Sequence, residues 1–331
     1  MKKILFLLLG LSLIFSTEFA AGQEKIVMKL GHIRDLNHPT QKAALKFQEL
    51  VKEYSNGRIE IKVFPNSQLG GPKEMFTQLQ TGDLEMVYGG INTLAWIGGG
   101  EPYEITSMPF LYRDYDHMRR ALTSDFFKPV QEQVEKDTNI KIVNITGDTA
   151  PRGLSTKGKA IKHADDFKRL KIRVAASETA QRLWKALGAL PQQIAYSELY
   201  MALKTGVVEA QENGALVVAS IKLYEVQDYY IQTDYIRDIE TFYMSMDMWN
   251  TLSEEDRKLI FRATEEAGSY ETELTQQVLA DAYKTLKEKL TVISPPELNT
   301  QSIRDKAAGI FDDWDGTKWP EGLMEKIRNL K

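Results

Sequence analysis

Between residues 26 and 90 the chain alternates short runs of period-two apolar spacing with runs of helical spacing. This rhythm restricts the fold more than any other feature. Residues 26–32 (IVMKLGH) read as a strand, and a polar loop through Asn37-His38-Pro39 follows. In residues 40–55, Ala43, Ala44, Phe47, Leu50, Val51 and Tyr54 share one helical face, and Asn56-Gly57 ends the helix. Ile59, Ile61 and Val63 alternate in a second strand. Pro72 starts a second helix and Gly82 stops it, and residues 84–88 form a third strand. A β-α-β-α-β order predicts an α/β fold with a mostly parallel sheet and helices on its faces. Ligands in such sheets bind beyond the carboxyl ends of the strands, here the loops at 33–40, 65–72 and 89–93.

The pattern continues. Residues 115–137 are helical with a break near Ser124-Asp125, and Ile140–Ile145 is a strand. Further strands are expected near 229–232 and over 239–246. A helix capped by Ser253 runs from about 252 to 290 with few breakers, long for a globular protein. Residues 291–294 read as a strand, Pro295-Pro296 as a break and 298–331 as a helical tail with Trp314 and Trp319.

Residues 1–22 carry a basic start at Lys2 and Lys3, an apolar run from Ile4 to Phe15 and small residues at Ala20-Ala21-Gly22. This is signal-peptide patterning, too short to span a bilayer, and predicts cleavage between Gly22 and Gln23 and export to the periplasm or outside the cell. The chain has no cysteine, which excludes disulfides, thiolate metal sites and lipidation at the cleavage site. Net charge is −4 with both signs interspersed, which disfavours nucleic acid as a partner. An acidic chain that captures an anion must do so with local positive groups. The length suits two domains of ordinary size.

Residues 165–213 hold the densest chemistry. Leu170 to Val174 alternates as a short strand with Arg173 inside it. Such an arginine either pairs with an internal carboxylate, Glu178 or Glu198, or waits for one on a ligand. A helix capped by Ser177 and closed by Gly188 follows, then a second capped by Ser197 and closed by Gly206. The stretch ends on Val207-Val208 and the polar triplet Gln211-Glu212-Asn213.

The strings Lys171-Ile-Arg-Val, Leu187-Gly-Ala-Leu-Pro and Tyr196-Ser-Glu-Leu-Tyr-Met-Ala-Leu-Lys-Thr-Gly-Val-Val-Glu-Ala-Gln-Glu-Asn213 resemble the signature of solute-binding proteins of TRAP (tripartite ATP-independent periplasmic) transporters. Ile61 to Gly70, Leu79 to Asp83 and Met108 to Tyr112 carry the resemblance, in order, across nearly the whole chain. It implies a Venus-flytrap protein with a ligand cleft between two α/β domains, 23–149 plus 239–278 and 150–238 plus 279–331, and with the long helix spanning both. It also implies no cofactor or metal, a TRAP permease as partner and, in most relatives, a monomer.

The resemblance places the ligand carboxylate on Arg173, whose planar fork matches it in two charge-assisted bonds. Arg152, in the Ala-Pro-Arg-Gly loop, is placed at or beside the ligand, and Asn213 on it through its amide. Gly214 replaces the usual proline after it. Tyr196 aligns with an aromatic pocket position, with core packing as its alternative. Tyr235 falls where many relatives have histidine; a phenol cannot take a positive charge, so this position bears on ligand choice. In the first domain, Gly89-Gly90 offers an open floor, His32, Arg34 and His38 lie near the end of the first strand, and Trp96 offers an aromatic wall or a core side chain. Residues 153–159 match G-x-x-x-x-G-K, but Ala160 stands where a phosphate loop needs serine or threonine. A secreted α/β enzyme is the rival reading. It lacks a G-x-S-x-G elbow and an H-E-x-x-H pair, and its four histidines have no metal-ligand spacing. A sugar acid or other hydroxylated carboxylate is the expected ligand, with a C4-dicarboxylate as the alternative. A dicarboxylate needs a second positive group, for which Arg152, Arg34 and His38 are the candidates.

Overall fold

A computed structural model describes residues 24–331; the signal-peptide reading falls outside them. Among the described residues, nine strands form one sheet: β1 (Ile26–Gly31), β2 (Ile59–Phe64), β3 (Met86–Gly90), β4 (Ile140–Thr156), β5 (Lys171–Val174), β6 (Leu190–Gln193), β7 (Ala210–Gly214), β8 (Tyr229–Ser245) and β9 (Thr291–Ile293). Their order is β2-β1-β3-β8-β4-β7-β5-β6, with β9 pairing β8. The outer pairings are parallel, as the β-α-β rhythm predicts, but β3–β8, β8–β4 and β4–β7 are antiparallel. The sheet is therefore mixed, and its two longest strands, of 17 residues each, run antiparallel through its middle.

The helices are α1 (Pro39–Tyr54), α2 (Pro72–Thr81), α3 (Tyr115–Leu122), α4 (Lys128–Thr138), α5 (Glu178–Ala186), α6 (Leu199–Lys204), α7 (Ala215–Ser220), α8 (Met246–Thr251), α9 (Glu254–Lys289), α10 (Thr300–Ala307) and α11 (Leu323–Asn329). In α1, His38 accepts from Thr40 N at the cap and Pro39 takes the first turn, where a missing N–H costs nothing. Its apolar face buries Phe47 and Leu50 against β1, β2 and β8, worth about 2 kcal/mol per side chain. A separate core cluster packs α6, α7 and the end of α9 around Tyr230.

The helix α9 has 36 residues. Ser253 caps it by accepting from Asp256 N, Glu254 to Asp256 occupy its first turn, and Lys287 and Lys289 its last, each matching the helix dipole. It packs on α1 near one end and α7 near the other, and lies across β4 between them. At the crossing, a Cβ on Gly268 would come within 2.1 Å of the Thr146 side chain, so only glycine permits this approach.

Where the sequence suggests two strands, near 229–232 and 239–246, one strand, β8, runs through. The expected domain limits at 149/150 and 238/239 fall inside β4 and β8. Both strands are irregular at that level: β4 shifts register between Asp148 and Pro151, Ala150 has φ +64° and Asp234 has φ +45°. The C-terminal tail is not confined to the second half. Near α10, Ser302 accepts from the Ala164 N–H, but α11 returns to α3, where Ile327 O meets His117 Nε2 at 2.9 Å and Arg113 reaches Leu330 O at 2.6 Å.

Candidate functional site

A cavity of about 340 Å³ opens where β4 and β8 cross the middle of the sheet. From one side it is lined by Arg34, Gly90, Asn92 and Trp96, and from the other by Arg173, Tyr196, Glu212 and Asn213. Arg152, Tyr235, Asp238 and Glu240 reach it from the crossing strands.

Two of its three arginines are already compensated. Arg152 donates through Nε to Glu212 Oε2 at 2.8 Å and through a terminal nitrogen to Glu212 Oε1 at 2.9 Å, and the same nitrogen reaches Asn213 Oδ1 at 3.2 Å. Tyr235 donates to Glu212 Oε2 at 2.6 Å. Burial works against the Arg152 charge, but Glu212 and Tyr235 outweigh it and hold the guanidinium above its ordinary value. Arg34 donates from Nε and a terminal nitrogen to Glu240 Oε1 at 3.1 and 2.8 Å.

Arg173 differs. Its Nε donates to Ile194 O at 2.8 Å, and neither terminal nitrogen has a partner among the described residues. Neither Glu178 nor Glu198 pairs with it: Glu178 pairs with Lys318 instead, and Glu198 is exposed beside the start of α6. Only 3% of Arg173 is exposed. Burial pulls its pKa down to about 10, helped by Arg152 and opposed by Glu212. A buried cation without a counter-ion is costly unless a ligand supplies one.

Asn213 lies in β7 rather than in a loop, opposite Gly153, and donates to Gln211 Oε1 at 2.6 Å. The backbone of Gly214 is packed tightly, since a Cβ there would come within 2.9 Å of Pro151 O. The Tyr196 hydroxyl and Trp96 Nε1 are buried without hydrogen-bond partners among the described residues. Burial raises the Tyr196 phenol, while nearby Arg34 draws it back. Gly90 lies under Asp238, whose Oδ2 would be 2.4 Å from an added Cβ.

His32 and His38 do not line the cavity. His32 Nε2 meets Gln41 Oε1 at 2.6 Å and its Nδ1 accepts from Arg34 N, while His38 is spent on the α1 cap. Burial brings His32 down to about 4 and His38 well below its usual range, so both are neutral and supply no positive charge. The G-x-x-x-x-G-K match begins inside β4, where a Cβ on Gly153 would collide with Tyr230; it is not a phosphate loop between strand and helix.

Sequence reasoning passed over Glu212, Asp238 and Glu240 as cavity residues. The period-two spacing of Asp238 and Glu240, continuing into Phe242, is the signal that places both acids on one face of a strand.

The profile of bacterial extracellular solute-binding protein, family 7, matches residues 30–316. The C4-dicarboxylate-binding periplasmic protein DctP of Rhodobacter capsulatus is 31% identical, over 88% of each chain. The sialic acid-binding periplasmic protein SiaP of Vibrio cholerae is 27% identical, over 87% of this chain and 88% of its own. A crystal structure of a TRAP periplasmic solute-binding protein from Haemophilus influenzae with bound L-gulonate superimposes with a TM-score of 0.85, at 27% identity, over 93% of this chain and all of that one. With its two-lobed mixed α/β sheet and an arginine-lined cavity at the crossing strands, the chain belongs to the family 7 bacterial extracellular solute-binding proteins, the solute receptors of TRAP transporters.

Proposed function

We propose that this receptor captures a hydroxylated monocarboxylate, with a sugar acid as the leading class, by docking its carboxylate on Arg173. The observation that carries the reading is the charge balance of the cavity. Arg34 and Arg152 are held by Glu240 and Glu212, and Arg173 alone lacks a counter-ion among the described residues. One uncompensated cation suits one carboxylate. A dicarboxylate would need a second, and the remaining basic lining residue, Lys73, is exposed at the mouth beside Glu74. Tyr196, Asn213 and Tyr235 add aromatic and amide contacts, and Trp96 a wall. The relatives that bind L-gulonate and sialic acid support a sugar acid, and the C4-dicarboxylate relative keeps the alternative open.

The two lobes close about the irregular level of β4 and β8, while α9 braces both. Closure removes water from the ion pair and strengthens it. Micromolar capture requires about −8 kcal/mol, within reach of one buried arginine–carboxylate pair with hydrogen bonds and apolar walls. The closed form is delivered to a TRAP permease in the membrane, and the protein acts by binding, without turnover, as a periplasmic monomer released after cleavage at Gly22. No helix among the described residues is long and apolar enough to cross a membrane. The test is a thermal-shift screen of organic acids on wild type and Arg173→Ala. A ligand bound only by the folded protein raises its melting temperature. Hits that stabilise wild type and not the variant support the anchor, and hits that persist in the variant refute it.

A further inference from the structure

Arg173 has a counterpart across the cavity. Asp238 is the buried lining carboxylate without an ion pair among the described residues, since Glu212 and Glu240 are each bound to an arginine and Glu74 lies exposed at the mouth. Its Oδ1 accepts from the Ile239 N–H at 3.1 Å, and among the described residues no side-chain donor reaches its Oδ2. That oxygen stands over Gly90, in the space a Cβ at 90 would fill. The missing side chain at 90 is thus what lets the carboxylate stand there. The backbone N–H of Asn92 also lies near the carboxylate. The residue is 4% exposed, so the acceptor capacity that these backbone groups leave is met by a molecule in the cavity or not at all.

Resting on the reading that Arg173 anchors a carboxylate, we propose that Asp238 is the specificity-determining residue at the far end of the ligand: it accepts a hydrogen bond from a ligand hydroxyl and excludes a second carboxylate. A hydroxyl supplies the donor that the free oxygen lacks. A terminal carboxylate would instead face a buried acid flanked by Glu240, and like charges in a poorly solvated site repel strongly. Arg34 and Arg152 relieve this only in part, because each is engaged by its own glutamate. Selection therefore combines an attractive anchor at one end with a repulsive element at the other.

The test is calorimetric titration of the full mature chain, wild type and Asp238→Asn, with aldonates of four to six carbons, the aldarates of equal length and 6-aminohexanoate. Wild type is expected to prefer the aldonate over its matched aldarate, and Asp238→Asn, which keeps the shape and loses the charge, to narrow that preference by about tenfold or more. Asp238→Ser serves as a second uncharged variant, and ligand-free melting temperatures show that both are folded. An unchanged aldonate-to-aldarate ratio in the folded variants overturns the role of Asp238 while leaving the anchor intact. Tighter binding of 6-aminohexanoate than of any aldonate overturns it too, because the acid then pairs with ammonium. If no aldonate or aldarate binds wild type, or if Arg173→Ala leaves binding unchanged, the anchor reading fails and the proposal falls with it.

Discussion

Arg173 makes the ligand-free receptor less stable than it would be with a neutral side chain of similar length. Burial brings the guanidinium down from its ordinary range to about 10, which corresponds to ~3 kcal/mol disfavouring the charged form in the empty cavity. Arg173→Met keeps most of the methylene packing, removes that penalty and gives up the hydrogen bond to Ile194 O, a loss of about 1 kcal/mol. The ligand-free variant should therefore gain about 1–2 kcal/mol in urea unfolding, seen as a melting temperature higher by a few degrees. Binding should move the other way. Truncating one partner of a buried, hydrogen-bonded charge pair costs about 2–5 kcal/mol, or roughly thirty-fold to several-thousand-fold in Kd, and the ligand-induced rise in melting temperature should vanish. Equilibrium urea unfolding without ligand, paired with titration calorimetry, measures both arms. A variant that is less stable when empty and still binds would refute the argument that this arginine is held in reserve for a ligand.

Other consequences are equally direct. Glu212→Gln leaves Arg152 buried without its counter-ion and should lower unfolding free energy by about 3–5 kcal/mol; a loss under 1 kcal/mol in denaturant titration would show that the pair is dispensable. Burial, reinforced by Glu240 and opposed by bonds from Thr40 and Tyr88 and by nearby Arg34, raises the carboxyl of Glu271. The folded protein therefore keeps a proton that the unfolded chain releases above the ordinary glutamate range, and the resulting cost is absent at low pH and grows as pH rises. The stability of Glu271→Gln relative to wild type should thus increase between pH 5 and pH 8, and a flat difference would contradict the assignment. Gly268→Ala forces α9 away from Thr146 and should cost about 1–3 kcal/mol by overpacking. Pairing it with Thr146→Gly should recover most of that loss, and failure to recover would place the strain elsewhere.

The β-α-β rhythm, the caps at Ser177 and Ser253 and the long helix were all readable from the chain, because apolar periodicity and capping chemistry are local. So was membership of the family, which rests on contiguous motifs. The middle of the sheet was not legible, for a single physical reason. Strands β4, β7 and β8 turn polar side chains toward a cavity, so Gln211 to Asn213 and Thr233 to Asp238 look like loop sequence when they lie within strands. Alternation predicts a dry core on one face, and here a charged cavity replaces that core.

Local pattern also cannot assign partners among charges far apart in sequence. His32 and His38 lie at the end of a strand, as expected for ligand contacts, yet they are consumed by Gln41 and by the α1 cap. Arg34 meets Glu240 across 206 positions, and Arg152 meets Glu212 across 60. Which arginine remains without a counter-ion, and which acid faces it, depends on those pairings. The sequence by itself determined that the chain is an α/β solute receptor of this family. Only the tertiary structure decided that Arg34 and Arg152 are paired while Arg173 and Asp238 line the cavity without an ion pair among the described residues, because ion pairing between distant strands is settled by packing and not by spacing along the chain.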